Sequence, residues 1–591
     1  MSNLSNKVKP YLLAFLVSIS FCYLLSIPIS NFFIFLSIYV FALCFFMNTK
    51  HRTNIYIITL SIILSFFIIL GRYLVYVDES KGTELILKIL LTPIGTYVFF
   101  NRFFTLLFDY IDNAKLEVAP FSYEKLFVIG FLIIFICYLP LCIVEYPGIY
   151  TPDSITQISQ ARGLFEFNNM NPLLHTFFLK IVYDFFTLFI KDINLCSFCV
   201  GLVQTIINSM IFSYVSLYVY KKTNNRLLYV LTIIFFSLFS FNAFYSITIS
   251  KDSAYAAFTA LFIIRLDELC HNLNKKNTIM FVVTGVVYSL LRSNGYYSLV
   301  IVFLVLLVLV IKNIISKKIL IISIITFILS TIIMFPGYSL IINSNKKPVS
   351  SVITSNAKTG YKFRGNFLYV MPFQQVANVV VHGRELNEKE QWLIEEYMPL
   401  DKVADVYNPI LVDPLFDYIT NHFKPTRGDI SNFEYVKLWI ELLLKYPQDY
   451  IEAYVNMTKY YFYPARYVNM YYTGIYKNQL GIKESSVIPR DYKISIENIY
   501  GAQKNIPFVG SILSPGVTVF VLIVTIFYCL SRKKYITFYC MMPLLANFLI
   551  LMAFVPINDE FRYIYPIVVC LPIIISHLLS NEGKENEKQY N

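Results

Sequence analysis

Charge is scarce in this chain. Lysine, arginine, aspartate and glutamate make up only 15% of its 591 residues while 57% are hydrophobic, against about 25% charged in a soluble globular protein. That shortage argues against a soluble domain and for a chain that crosses a membrane repeatedly. Cysteine is missing from the long polar stretch 343–510, since all ten cysteines lie in or beside apolar runs. A disulfide framework in that stretch is thereby excluded. Cys196-Ser-Phe-Cys199 has the spacing of a redox or zinc pair, but it opens an apolar run and reads as small buried hydrophobes. Internal repeats and low-complexity tracts are lacking too.

What the chain has in abundance is long apolar runs. Stretches near or above ~17 residues, enough to cross a hydrocarbon core as a helix, recur about fourteen times. They fall at 11–27, 31–47, 54–76, 84–108, 126–144, 194–220, 227–249, 253–268, 278–291, 295–311, 319–342, 511–530, 535–556 and 563–579. The expected fold is an α-helical polytopic membrane protein. Four spans lie in 1–125 and seven in 126–342. A mostly helical extracytoplasmic domain follows over 343–510, then three spans over 511–580 and a cytoplasmic tail, 581–591. The 168 residues of 343–510 are enough for a core of their own. LNEKEQWLIEEY (386–397) and FEYVKLWIELLLKYP (433–447) show apolar positions at helical spacing.

The net charge of +12 does not imply a nucleic-acid partner. Lys7/Lys9, Lys50/Arg52, Lys115/Lys125, Lys221/Lys222/Arg226, Lys275/Lys276, Lys312/Lys317/Lys318, Arg532/Lys533/Lys534 and Lys584/Lys588 fall in every second connection. The alternate short connections hold only Lys81, Lys251, Arg292 and Arg562. Excess Lys and Arg stays cytoplasmic, so both termini are expected inside. The Lys7/Lys9 start resembles a signal peptide, but no small-residue cleavage site follows and the segment reads as an uncleaved anchor. NPLLHTFFLKIVYDFFTLFIK (171–191) carries His175, Lys180 and Asp184 along its length. It reads as an interfacial helix within a first outside loop, 145–193, because charges in mid-membrane are costly.

That loop opens with YPGIYTPDSITQISQARG (146–163). Thr151-Pro152-Asp153 has the form of an N-cap, a proline at the first helical position and an acid in the first turn. The helix dipole would keep Asp153 ionised there; taken alone, Asp153 reads as a simple helix cap. Three other polar turns are expected on the same membrane face: Lys251-Asp252, Arg292-Ser-Asn-Gly295, and Asn558-Asp559-Glu560-Phe-Arg562-Tyr563. Each by itself is an ordinary turn or a snorkelling cation. Together they put carboxylates beside permanent cations at one boundary. Arg292, Arg562 and Lys251 are suited to phosphate oxygens, and a carboxylate is suited to take a proton from an attacking hydroxyl. The residues therefore point to a phospho-lipid and a hydroxyl acceptor.

The order of YPGIYTPDSITQ, NPLLH, a Lys-Asp turn, LLRSNG and DEFRYIYP resembles the GT-C superfamily, polytopic glycosyltransferases that use polyprenyl-phosphate-linked sugars. The resemblance covers about 126–342 and 511–580, and rests on the order and common sidedness of short motifs. It implies a GT-C-like bundle, with Asp153 as catalytic base and Arg562 at the donor phosphate, joined by Arg292 and Lys251. Asp252, His175, Asp559, Glu560 and Gln157 would face substrate. Many members pair two acids in the first loop; here Glu145 is eight residues from Asp153. No metal ligands are therefore assigned, and a divalent cation is left open as the one cofactor. The implied partners are a polyprenyl-phosphate sugar, membrane lipid, and a cell-wall glycan, glycolipid or exported-protein acceptor. The setting would be the outer face of a bacterial cytoplasmic membrane, with an inverting outcome. A transporter or flippase for lipid-linked saccharides, or a polysaccharide polymerase, is the alternative.

TKYYFYPARYVNMYYTGIYK (458–477) has eight aromatics in twenty residues; it suits either sugar rings or, preferably, a lipid-headgroup belt. Asp401, Asp405, Asp413 and Asp417 raise a calcium site, but lack the alternation and glycine of an EF-hand loop.

Overall fold

The computed structural model describes residues 2–47, 53–114, 123–168, 171–344, 369–422, 432–464, 472–485, 487–554, 557–558 and 560–580. Among these the chain is helical, and its extended pairings are isolated bridges. Seven helices are long and apolar enough to cross a membrane: Ile55–Glu79, Gly82–Asn113, Lys125–Val144, Ile193–Thr223, Ser293–Ile311, Lys317–Ser344 and Tyr535–Phe554. Arg226–Leu238 and Ser240–Ile247 make an eighth if taken as one span bent by 56°. The protein is a helical membrane protein of this kind.

Several expected spans take other forms. Val8–Leu24, Phe32–Met47 and Pro515–Ser531 are shorter apolar helices. The run 563–579 is broken into Phe561–Tyr563, Tyr565–Val569 and Leu571–Leu579. Pro566 and Pro572 sit at the starts of the last two pieces, where their missing N–H costs least. Lys251–His271 is long enough, but it begins with Lys251 and Asp252 and ends with Arg265, Asp267 and Glu268. Its charges fall in two groups, one at each end.

Aromatic packing holds the bundle. Tyr245 stacks on Tyr565 with ring centroids 4.2 Å apart, Phe212 on Phe236 at 4.4 Å, and Phe262 on Tyr288 at 4.7 Å. Leu173–Thr187 is amphipathic: His175, Leu179 and Tyr183 are buried, whereas Ile181 and Phe185 are exposed, as are Leu188 and Phe189 just past its end. An apolar face left open beside the bundle is the form of an interfacial helix.

The stretch between the eleventh and twelfth expected spans is mostly helical where described, apart from an extended segment over 472–485, and it has a core of its own around Phe373, Leu393, Tyr397, Tyr435 and Tyr450. The expected helices appear as Glu388–Glu395, entered through an Asn387/Glu390 capping box, and Asn432–Lys445. The helix Pro447–Phe462 then leaves that core and drives Met457, Tyr461 and Phe462 into the main one. Phe67 of the helix Ile55–Glu79 meets Phe462 with ring centroids 5.3 Å apart. The domain is therefore keyed into the bundle by a continuous helix.

Candidate functional site

The local backbone explains why Asp153 and Lys251 meet. Ile149 pairs in parallel with Thr248, and Tyr150 with Ile475. The N–H of Ile249 donates to the Ile149 carbonyl at 3.0 Å, and that of Tyr476 to the Tyr150 carbonyl at 2.8 Å. Two parallel segments held side by side each turn into a helix within a few residues, Pro152–Ala161 on one and Lys251–His271 on the other. Thr151 caps the first helix and Ser250 the second, and the Ser154 hydroxyl donates to the Ile249 carbonyl. Gly148, at φ +133°, makes the turn into this pairing; any side chain there would be strained.

A third helix, Ser293–Ile311, starts at the same place with Arg292 as its N-cap. Gly295 permits the approach: a Cβ there would stand 2.4 Å from the Tyr288 carbonyl oxygen. The fourth contribution is the turn Phe561–Tyr563. Its neighbourhood is fixed from the domain side by an antiparallel Leu411–Ile557 bridge, with the Asn558 N–H donating to the Ile410 carbonyl at 2.9 Å. Tyr461 donates to the Ile557 carbonyl at 2.7 Å, and Tyr472 to Glu560 at 2.9 Å.

The expected charged residues converge. Lys251 Nζ lies 3.0 Å from Asp153 Oδ2, and Arg292 Nη1 lies 2.6 Å from Asp252 Oδ1. Arg562 joins both pairs, with Nη1 3.6 Å from Asp153 and 3.9 Å from Asp252, and Nε 3.4 Å from Glu560. Tyr563 lies between two guanidinium groups, its ring centroid 4.9 Å from Arg292 and 5.1 Å from Arg562. This cation–π arrangement holds two like charges close together. Asp252 is 2% exposed and the Asp153 side chain 42%, so the former is enclosed and the latter faces out. Burial pushes the Asp153 carboxyl up, but Lys251, Arg562 and Arg292 together outweigh it and hold it below the usual carboxylate range. Burial opposes the Arg562 charge; Tyr563, Asp252, Tyr472 and Glu560 more than offset that and keep the guanidinium protonated.

Two expected site residues, Gln157 and His175, lie apart from these ion pairs. Gln157 is fully buried; its Nε2 donates to Thr176 Oγ1 at 3.2 Å and its Oε1 meets His175 Nδ1 at 3.0 Å. It ties the helices Pro152–Ala161 and Leu173–Thr187 together rather than facing the charge cluster. His175 is 1% exposed. Burial first, then the nearby Lys251 charge, lowers its pKa to about 4 and keeps the ring neutral. Asp559 lies outside the described residues.

His175 also lines a cavity of about 190 Å³ with Phe178, Gln204, Asn208, Ala254 and Phe258. Ala254 is three residues along the helix from Lys251, so this space adjoins the cluster. Sequence reasoning gave no sign of it, because its walls come from four separate helices. It also missed Asn171, which accepts from Lys251 Nζ at 2.6 Å, and the twofold use of Tyr563. The only sequence signals were the polar Asn before Pro172 and a tyrosine next to Arg562.

The four aspartates raised for calcium divide. Asp405 pairs with Lys402 at 3.3 Å. Asp413 opens the helix Asp413–Asn421 just beyond the bridge to Ile557. Burial, then Asp417 and Asp153, raise the Asp413 pKa, while Arg562 opposes; this domain carboxylate thus senses the cluster. Among the described residues, metal-ready spacing occurs at His382, Asp449 and Glu452. There Arg384 already forks onto Asp449 at 2.7 and 2.9 Å, so the group is an ion-pair network.

Glu145 is buried a short way before the loop helix. Burial drives its pKa up to about 7, with Lys493 opposing and Glu497 adding to the rise. Lys493 lies 3.5 Å from Glu145 and 2.6 Å from Glu484, joining the helix Arg490–Ala502 to the root of the loop.

Comparison with curated proteins and with solved structures gives no match. A family model matches residues 164–591, a span that holds Lys251, Asp252, Arg292, Glu560 and Arg562 and begins after Asp153 and Gln157. The chain belongs to that family, DUF6020, a family of unknown function.

Proposed function

We propose that the protein is a membrane glycosyltransferase that moves a sugar from a polyprenyl-phosphate donor to a hydroxyl acceptor at the outer membrane face. The carrying observation is the meeting of Lys251, Arg292 and Arg562 with Asp153 and Asp252 at one end of an apolar helix bundle. Three fixed cations there suit the phosphate of a lipid whose tail stays in the bilayer. The acceptor hydroxyl attacks the anomeric carbon as the bond from that carbon to the phosphate oxygen breaks. The electron pair leaves with the polyprenyl phosphate, and the hydroxyl proton passes to the Asp153 carboxylate. One displacement inverts the anomeric centre. A phosphate arriving at Lys251 and Arg562 takes over partners of Asp153, which restores proton affinity to that carboxylate as donor binds.

This reading carries with it a GT-C-like bundle of about fourteen spans, both termini inside, and a bacterial cytoplasmic membrane facing wall or glycolipid acceptors. A flippase for lipid-linked saccharides is the second reading, and the bent pair Arg226–Leu238 and Ser240–Ile247 favours it, since transporters build their sites on broken helices. The test compares cells holding wild type and Asp153→Asn at equal membrane abundance, by mass spectrometry of polyprenyl-phosphate sugars and released glycans. Loss of one sugar substituent with build-up of one lipid-phosphate monosaccharide is the expected result. Identical profiles would reject the transferase and advance the flippase.

A further inference from the structure

From its start to Arg265, the helix Lys251–His271 is buried all round except along one stripe. Lys251, Ala254, Phe258, Leu261 and Arg265 are partly exposed, and every residue between them is buried. A spacing of three and four keeps these five on one face, so the stripe starts at the charge cluster and runs down into the bilayer. Lys251 to Leu261 covers about 15 Å at about 1.5 Å per residue, half of a hydrocarbon core about 30 Å thick. The helix packs against Ile193–Thr223 and against Lys275–Leu291, and those two have no comparable contact with each other among the described residues. The interfacial helix Leu173–Thr187 bridges both of them. The stripe is therefore the floor of a slot roofed at the outer face. One turn deeper on the two wall helices, Met210 and Val283 are exposed, so the slot opens sideways toward lipid.

The upper part of the slot is the cavity of about 190 Å³. Ala254 and Phe258 give its floor, Ile207, Val287 and Leu291 its walls, and Phe178 its roof. Its polar groups already have partners. His175 and Gln204 hydrogen-bond each other, Gln204 Nε2 also donates to the Ser246 and Thr248 carbonyls, and Asn208 Nδ2 donates to Ser253 Oγ at 2.9 Å. What the space offers a ligand is hydrocarbon surface. An apolar cavity of about 150 Å³ stays dry and admits benzene, so this one holds roughly one or two five-carbon units of a single chain. Two acyl chains side by side do not fit. Below Leu261 the stripe ends in Arg265, which pairs with Glu268 and lies over the Tyr214 ring. The apolar track thus stops near mid-membrane, and a longer chain must leave it sideways. Moving a chain from the bilayer into the slot gains no hydrophobic energy, because lipid tails are as apolar as leucine. The slot acts by shape, and the cations above it supply affinity.

We propose that the slot seats the head-proximal hydrocarbon of a single-chain phosphate lipid, which slides in from the bilayer between Ile193–Thr223 and Lys275–Leu291 until its phosphate meets Lys251. The placing of phosphate at Lys251 rests on the transferase reading. What the slot adds is a choice among lipids that share that headgroup. One slender chain enters, whereas a diacyl phosphate lipid is kept out by its second chain.

The experiment is thermal unfolding of the purified full-length protein in detergent with inorganic phosphate, geranyl phosphate and dioctanoyl phosphatidic acid at equal concentration. A ligand that binds only the folded state raises the melting temperature. Geranyl phosphate should give the largest rise of the three. In Ala254→Leu and in Val287→Phe, which fill the slot from two different helices, that rise should fall to the level of inorganic phosphate. Equal rises with geranyl and inorganic phosphate in wild type overturn the proposal, as does a matching rise with the diacyl lipid or a geranyl effect that survives in the filled variants. A second measurement needs no variant: geranyl phosphate with a diazirine at its far end is photolysed on the wild type and the labelled peptides are read by mass spectrometry. Labels are expected within 251–271 and 275–291, and labelling confined to other helices overturns the proposal. The transferase reading is scored separately, by the Asp153→Asn glycan profile. A chain-independent rise with an altered glycan profile removes the slot and keeps the transferase.

Discussion

Replacing Arg292 by methionine leaves Asp252, 2% exposed, without its partner at 2.6 Å. What remains is Arg562 at 3.9 Å, too far for a good hydrogen bond. Breaking a buried ion pair from one side costs about 3–5 kcal/mol, because a charge is stranded in low dielectric. With Arg562 still near, we expect about 3 kcal/mol. Removing both charges as Arg292→Met with Asp252→Leu should return stability to within about 1 kcal/mol of wild type, since an apolar pair of similar volume often replaces a buried ion pair at no net cost. The two substitutions are thus strongly coupled. The assay is reversible denaturant unfolding in detergent on wild type, both single variants and the double, with binding of polyprenyl phosphate measured on the same samples. The double variant should be stable and should not bind. A cost below about 1 kcal/mol for Arg292→Met would show that the pair is not enclosed as described. Retained binding in the double variant would refute phosphate capture by Arg292.

Lys251→Met should change stability by no more than about 1 kcal/mol, because the Asp153 side chain it pairs with is 42% exposed and solvent screens the pair; transfer measured on membranes should nevertheless fall at least about tenfold. Glu145, raised from 4.5 to about 7, gives stability that is full below pH 4.5 and is lost as pH climbs through 7, up to about 3 kcal/mol. The melting temperature of wild type should therefore drop between pH 5 and 8, and Glu145→Gln should flatten that slope; parallel slopes would count against it. Asp413→Asn removes a negative charge that interacts with Arg562 and Asp153, so polyprenyl phosphate should bind about two- to fivefold tighter. Unchanged affinity would place Asp413 out of range.

The membrane class and the charged cluster were both legible in the sequence, for one physical reason. A polar turn is expensive in an apolar chain, so Lys251-Asp252, Arg292 and Glu560–Arg562 stood out against their surroundings. Which cation meets which acid was not legible. That depends on the Ile149–Thr248 pairing, a contact between chain segments about a hundred residues apart, and on the Gly295 approach. Asp413 was noticed for calcium and belongs beside Arg562 because of a long-range bridge that no local pattern records. Apolar runs and continuous helices part company where a run is interrupted without any fall in hydropathy. Pro566 and Pro572 divide 563–579, and Phe239 marks the 56° bend between two equally apolar pieces. Gln157 and His175 meet inside the helix packing, a contact between two helices that their places in the sequence do not record.

The cluster of Lys251, Arg292 and Arg562 with Asp153, Asp252 and Glu560 holds equal numbers of opposite formal charges. A site that carries its own counter-ions projects little field beyond a Debye length, about 8 Å at physiological salt. It therefore cannot draw a dissolved anion from afar, and the rate of encounter should be nearly independent of ionic strength, unlike a steered association. On the transferase reading, such a site favours ligands that arrive by lateral diffusion, already at the right depth, and that exchange ion partners only on contact. Free inorganic phosphate and soluble nucleotides would gain no electrostatic steering towards it.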